Sequence, residues 1–213
     1  MTRYSKEETI QLRNRIIEAT ELMIREHGAT QMTMRALAKK ANVSPTTPYN
    51  LFGSKRQLLI DVIVKDFLTD VIELQLITSP SDSLLEVFSH IDKIESAMMA
   101  KETFVKELIS GIIQSSPELD TQPLLLLMQG IADGWIKQQI TDKTLAQQTN
   151  ATFVSQQIAA SVAGSLFLWA SNSIASSELK WRLKYVIASD IYIHATAKHR
   201  PIIRKILKDI IAH

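Results

Sequence analysis

The sequence predicts an all-α protein, on three observations. Apolar residues recur at i, i+3, i+4 and i+7 along most of the chain, the period of a half-buried helix. Only six glycines and six prolines punctuate 213 residues, too few for the close-set turns of a β fold. Cysteine is absent, so neither a disulfide framework nor a thiolate metal site shapes the chain. The expected layout is an N-terminal three-helix head, residues 1–53, carrying a helix-turn-helix. A helical body follows over 54–213.

The first helix is expected over 6–27, with a stripe at Leu12, Ile16, Ala19, Thr20 and Met23, closed by Gly28. Thr33 then reads as the N-cap of a second helix, whose Met34, Leu37, Ala38 and Ala41 fall on one face. Asn42 sits where the chain must turn, and asparagine tolerates the left-handed conformation better than most residues. Ser44 is a further N-cap and Pro45 follows it, so the third helix is expected from Pro45 to Leu51. It presents Thr46, Thr47, Tyr49 and Asn50, groups suited to base edges and phosphates. Pro48 is awkward inside that helix, because it deletes an N–H and disfavours helical geometry at Thr47. Gly53 ends the third helix and Ser54 caps the next. Lys55 stands in a first turn, where a cation opposes the helix dipole unless a phosphate lies near.

Charge is divided along the chain. Residues 1–60 carry ten Lys/Arg against five Asp/Glu, residues 61–197 nine against sixteen, and residues 198–213 five against one. A basic head is the footprint expected for a polyanion.

The stretch from His27-Gly28 through Thr33, Arg35, Leu37 and Ala38 to Val43, Ser44, Thr47, Tyr49, Phe52, Ser54 and Lys55 resembles the TetR family of one-component bacterial repressors. The resemblance implies that Arg35 and Thr47 contact bases or nearby phosphates. It places Pro45 and Thr46 at the groove floor, and Thr33, Ser44, Tyr49 and Lys55 on phosphates of a double-stranded DNA operator. This chain departs from the family pattern at Pro48 and at Asn50-Leu51; Leu51 cannot bond a phosphate, and Asn50 can supply a replacement contact.

A fourth helix is expected over 54–78, with Leu58, Leu59, Val62, Ile63 and Phe67 inward, joining head to body until Ser79-Pro80-Ser81-Asp82 breaks it. Body helices follow near 83–98, 102–115, 122–139, 150–174 and 178–197, with Pro117 marking a loop or helix start. Met98, Met99, Phe104, Leu108, Met128, Trp135, Phe153 and Phe167 supply the methionines and flat aromatics of a pocket for a small hydrophobic effector. Ordinary core packing uses the same residues; the family resemblance is what implies a cavity.

The 150–174 helix has a face of Gln157, Ala160, Ser161, Gly164 and Leu168. A mid-helix glycine is unfavourable by about 1 kcal/mol against alanine, which points to a close helix contact at Gly164. The next helix is apolar nearly all round, with Leu183, Val186 and Ile187 among its residues. Across a two-fold axis the pair would form the four-helix bundle of a homodimer, as the resemblance implies.

Residues 201–212 make a basic amphipathic helix, expected to pack on the body rather than on a membrane. The polar start, MTRYSKEET, is unlike a signal peptide, so a cytoplasmic location is expected. His194 and His199 form only a weak metal-ligand spacing, and phosphate-loop and nucleophile-elbow patterns are missing. Neither an enzyme, nor a cofactor, nor a bound metal is expected. The second reading is a helical sensor or scaffold that binds small molecules or proteins without binding DNA.

Overall fold

The computed structural model describes residues 5–73, 83–115 and 122–212. The expected break at Ser79–Asp82 and the loop at Pro117 lie outside the described residues. These residues form ten helices: α1 (Lys6–His27), α2 (Met34–Lys40), α3 (Thr47–Phe52), α4 (Lys55–Glu73), α5 (Leu84–Ala100), α6 (Glu102–Gln114), α7 (Gln122–Thr141), α8 (Ala151–Ala170), α9 (Ser176–His194) and α10 (Arg200–Ile211). The one β pairing among them is an isolated antiparallel bridge between Leu145 and Ala195.

The chain divides into two compact units. The first is Met1–Leu68 with Lys101–Leu119, and the second is Thr69–Ala100 with Asp120–His213. This differs from the division at residue 53 expected from the sequence. The first unit keeps most of α4 and takes in α6, because α6 packs its apolar face on the head.

In the first unit, α1 opens with a capping box. Ser5 Oγ accepts from Glu8 N and the Glu8 carboxylate accepts from Ser5 N. Its stripe is buried as the period requires, from Leu12 to Ile24. Met32, Leu37, Leu58, Leu59 and Val62 complete the core. Three contacts hold α6 here. The Arg25 guanidinium lies over the Phe104 ring, 4.2 Å from its centroid. Ala29 N donates to Glu107 Oε2 at 2.9 Å. The third contact is at Gly111, where a Cβ would come within 2.6 Å of Ala29 Cβ.

In the second unit, α8 packs between α7 and α9, and α9 also meets α5 and α10. Trp169 is fully buried, its indole N–H donating to Ser176 Oγ at 3.1 Å. Lys184, 8% exposed, pairs with Asp92 of α5 at 2.6 Å. The 145/195 bridge is extended by Ala146 N to His194 O at 2.9 Å and Thr196 N to Thr144 O at 3.0 Å, tying the loop before α8 to the loop after α9. His199 Nδ1 is spent locally, 3.0 Å from Thr196 Oγ1. By length and composition alone α8 could cross a membrane, but it packs as a bundle helix and leaves Phe153 and Phe167 exposed on one side.

Candidate nucleic-acid interface

The turn between α2 and α3 is built as the residue types require. Thr33 caps α2 by accepting from Ala36 N at 3.1 Å. Met34, Leu37, Ala38 and Ala41 are buried on one face. Asn42 takes the left-handed conformation, φ 52°, and the chain closes through Val43 N to Ala38 O at 2.9 Å.

The start of α3 corrects the sequence reading. The helix runs Thr47–Phe52, not Pro45–Leu51, and its N-cap is Thr46, which makes no side-chain cap bond. Pro48 therefore falls at the second helical position, where the missing N–H has no helical partner to lose. Ser44 does not cap. Its Oγ lies 3.1 Å from Thr46 Oγ1 and 2.7 Å from Thr47 Oγ1, within hydrogen-bonding distance of both. Thr47 is 9% exposed, with its Oγ1 bonded to Ser44 Oγ. Arg35, Ser44, Pro45, Thr46, Tyr49 and Asn50 are exposed, and Thr33 with them. Thr33, Arg35, Asn42 and Pro45 border one solvent-open hollow together with Lys39, a cation that the sequence reading did not single out. The neighbouring Lys40 is paired with Glu26.

Two supports fix this surface from behind. Gly53 ends α3 at φ 74°, and Ser54 caps α4 by accepting from Gln57 N at 3.1 Å. Arg13 of α1 is an internal clamp. It donates to the Leu51 carbonyl at 2.5 Å, pairs with Asp61 of α4, and lies over the Phe52 ring at 4.4 Å. Nothing in the sequence separated Arg13 from its solvated neighbours. Lys55 donates from Nζ to the Thr30 carbonyl at 3.2 Å, and partial burial holds its pKa below the ordinary lysine value.

The residues expected to line an effector pocket fall in both units. Met98 and Met99 of α5 and Met128 of α7 are half-buried, and Trp135 is buried. Phe104 and Leu108, by contrast, belong to α6 and are buried in the first unit. Phe153 and Phe167 are 51% and 46% exposed on α8. Helical period shows which residues are apolar, not which neighbour covers them. A second open hollow, bordered by Ser89, Asp92, Lys93, Ser96 and Ala97, includes none of the expected residues.

Of the expected dimer residues, Gln157 and Gly164 are exposed, and Ser161, Leu168 and Val186 are half-buried. Leu183 and Ile187 are buried within their own chain. A Cβ at Gly164 would meet nothing within 4 Å.

A short buried-back, polar-front helix held over a capped turn, inside a basic helical head, defines a helix-turn-helix module of the DNA-binding class. Residues 16–62 match the family model for bacterial regulatory proteins of the tetR family. It is similar to the HTH-type transcriptional regulator BetI of Agrobacterium fabrum, 26% identical over 118 residues. That match covers 54% of this chain and 56% of BetI, so it spans a little over half the length of the curated relative. A TetR-family transcriptional regulator from Marinobacter aquaeolei has a similar fold, with a TM-score of 0.53 and 13% identity over 93% of this chain and 98% of that one. So has NalD of Pseudomonas aeruginosa, the secondary repressor of a multidrug efflux pump, with a TM-score of 0.55 and 15% identity over 84% of this chain and 94% of that one. SmeT, the repressor of a Stenotrophomonas maltophilia multidrug efflux pump, has a TM-score of 0.52 and 15% identity over 87% and 91%. At such identities these likenesses speak for the fold.

Proposed function

We propose that the protein is a ligand-responsive, DNA-binding transcriptional regulator, a repressor that binds a palindromic operator as a homodimer and is released by a small hydrophobic effector. The observation that carries this reading is the exposed polar surface of Arg35, Thr46, Tyr49 and Asn50 on a head whose residues 16–62 match the tetR family. One such helix per protomer reads one half-site, and two protomers read a palindrome. The half-buried Met98, Met99 and Met128 and the buried Trp135 support a greasy effector, as does the likeness in fold to NalD and SmeT. An effector acts by favouring the arrangement that cannot bind DNA, since equal affinity for both arrangements shifts nothing. The family match argues against the alternative, a sensor without DNA binding, and a DNA partner suits a cytoplasmic location.

A mobility shift at low salt against DNA flanking its own gene tests the reading. Lys55→Ala is expected to weaken specific and non-specific complexes alike, and to reduce the salt slope by about 0.9 for the one phosphate no longer neutralised. Thr46→Ala is expected to weaken the operator complex more than random DNA. A wild-type protein that shifts no flanking DNA would contradict the reading.

A further inference from the structure

Lys55 stands at the N-terminal end of α4 with its Nζ on the Thr30 carbonyl at 3.2 Å. Thr30 belongs to the corner between α1 and α2, and α6 grips that corner. Ala29 N donates to Glu107 Oε2 at 2.9 Å, and the same carboxylate covers Gly28, where a Cβ would approach it to 2.8 Å. Gly28 takes φ 78°, so the corner is shaped by a residue with no side chain and closed by one reaching in from α6. Thr30 Oγ1 adds a long contact to Gln114 Oε1 at 3.4 Å.

We infer that Glu107 is a positioning residue for phosphate recognition: it fixes the corner whose Thr30 carbonyl holds the Lys55 ammonium at the end of α4. The inference rests on the DNA-binding reading above. An ammonium has three N–H groups, and one spent on Thr30 leaves two for a phosphate. Holding it in place beforehand reduces the ordering that DNA binding would otherwise require. Lys55 is also already partly desolvated, so it gives up less water to a phosphate.

The sign of one substitution separates positioning from simple electrostatics. Glu107 is an anion in a basic head, so through space its removal should raise affinity for DNA. Positioning requires the opposite. In the full chain, Glu107→Ala is expected to lower affinity for the flanking duplex roughly two- to tenfold, the scale of one net hydrogen bond. Glu107→Gln should stay near wild type, because its amide oxygen can still accept from Ala29 N. In a Lys55→Ala background, Glu107→Ala should have no further effect. Should Glu107→Ala fail to fold by circular dichroism, Glu107→Asp keeps the charge and withdraws the oxygen; a comparable loss is expected, and wild-type affinity would overturn the inference. Raised affinity in both the Ala and Gln variants, or a loss that does not depend on Lys55, would overturn the inference alone. Wild-type protein that binds no duplex at low salt would overturn the DNA-binding reading and this inference with it.

Discussion

Thr46 and Thr47 are adjacent and chemically alike, yet Thr46 stands in solvent while Thr47 is buried and bonded to Ser44. A shift of two residues in where α3 begins decides this, and Pro48 drives the shift: its missing N–H is harmless at the second helical position and costly deeper in the helix. Arg13 makes a similar point about charge. Arg13→Ala removes a hydrogen bond to Leu51, an ion pair with Asp61 and the packing on Phe52. The expected loss is about 1–3 kcal/mol in denaturant unfolding, with the head losing the support behind α3. Asp190 in α9 makes a pH prediction. Burial raises its pKa above the ordinary 3.8, outweighing the lowering by His194 and by the Ser161 hydrogen bond. The folded state therefore keeps the proton to higher pH than the unfolded chain, so stability falls as pH rises through the raised value. Asp190→Asn is expected to raise Tm at pH 7 and to leave it nearly unchanged near pH 3. Equal shifts at both pH values would contradict the assignment.

At the scale of elements, caps and turns were legible because they depend on neighbours in sequence. The span of α1, the Thr33 and Ser54 caps, and the left-handed Asn42 all appear as expected. The start of α3 was not, because Ser44-Pro45 and Thr46-Thr47-Pro48 offer overlapping helix openings two residues apart. The affiliation of α6 was not legible either. Its apolar residues suit any core, and only the Ala29 corner and Gly111 show which one it joins. A Cβ at Gly111 would stand 2.6 Å from Ala29 Cβ and 3.0 Å from Leu59 Cδ1. Gly111→Ala is therefore expected to destabilise by about 1–3 kcal/mol, despite the better helix propensity of alanine. Thermal unfolding checks the sign: a stabilised variant would mean that α6 does not sit down on the corner.

At the scale of the whole molecule, α8 is apolar but only partly covered by its own chain. Phe153 and Phe167 are exposed, and Gly164 has open space above it. A second copy of the chain is the occupant that the proposed dimer supplies. Gly164→Leu meets nothing within the protomer and is expected to leave the monomer fold intact while obstructing a close approach between copies. Sedimentation at micromolar concentration should show a dimer for wild type and a shift towards monomer for the variant. Wild type running as a monomer, or a variant that dimerises unchanged, would contradict the interface.

The sequence alone determined the all-helical class, the helix-turn-helix and most of its polar surface, because period, caps and turn residues act over three or four positions along the chain. Only the tertiary structure decided that Thr47 faces inward, that Arg13 is a clamp, that Phe104 and Leu108 serve the head, and that Phe153 and Phe167 lie outside. Each of these depends on which helix covers a given face. That is set by contacts between residues tens of positions apart, such as Ala29 with Glu107 and Arg13 with Asp61, and no local pattern encodes them.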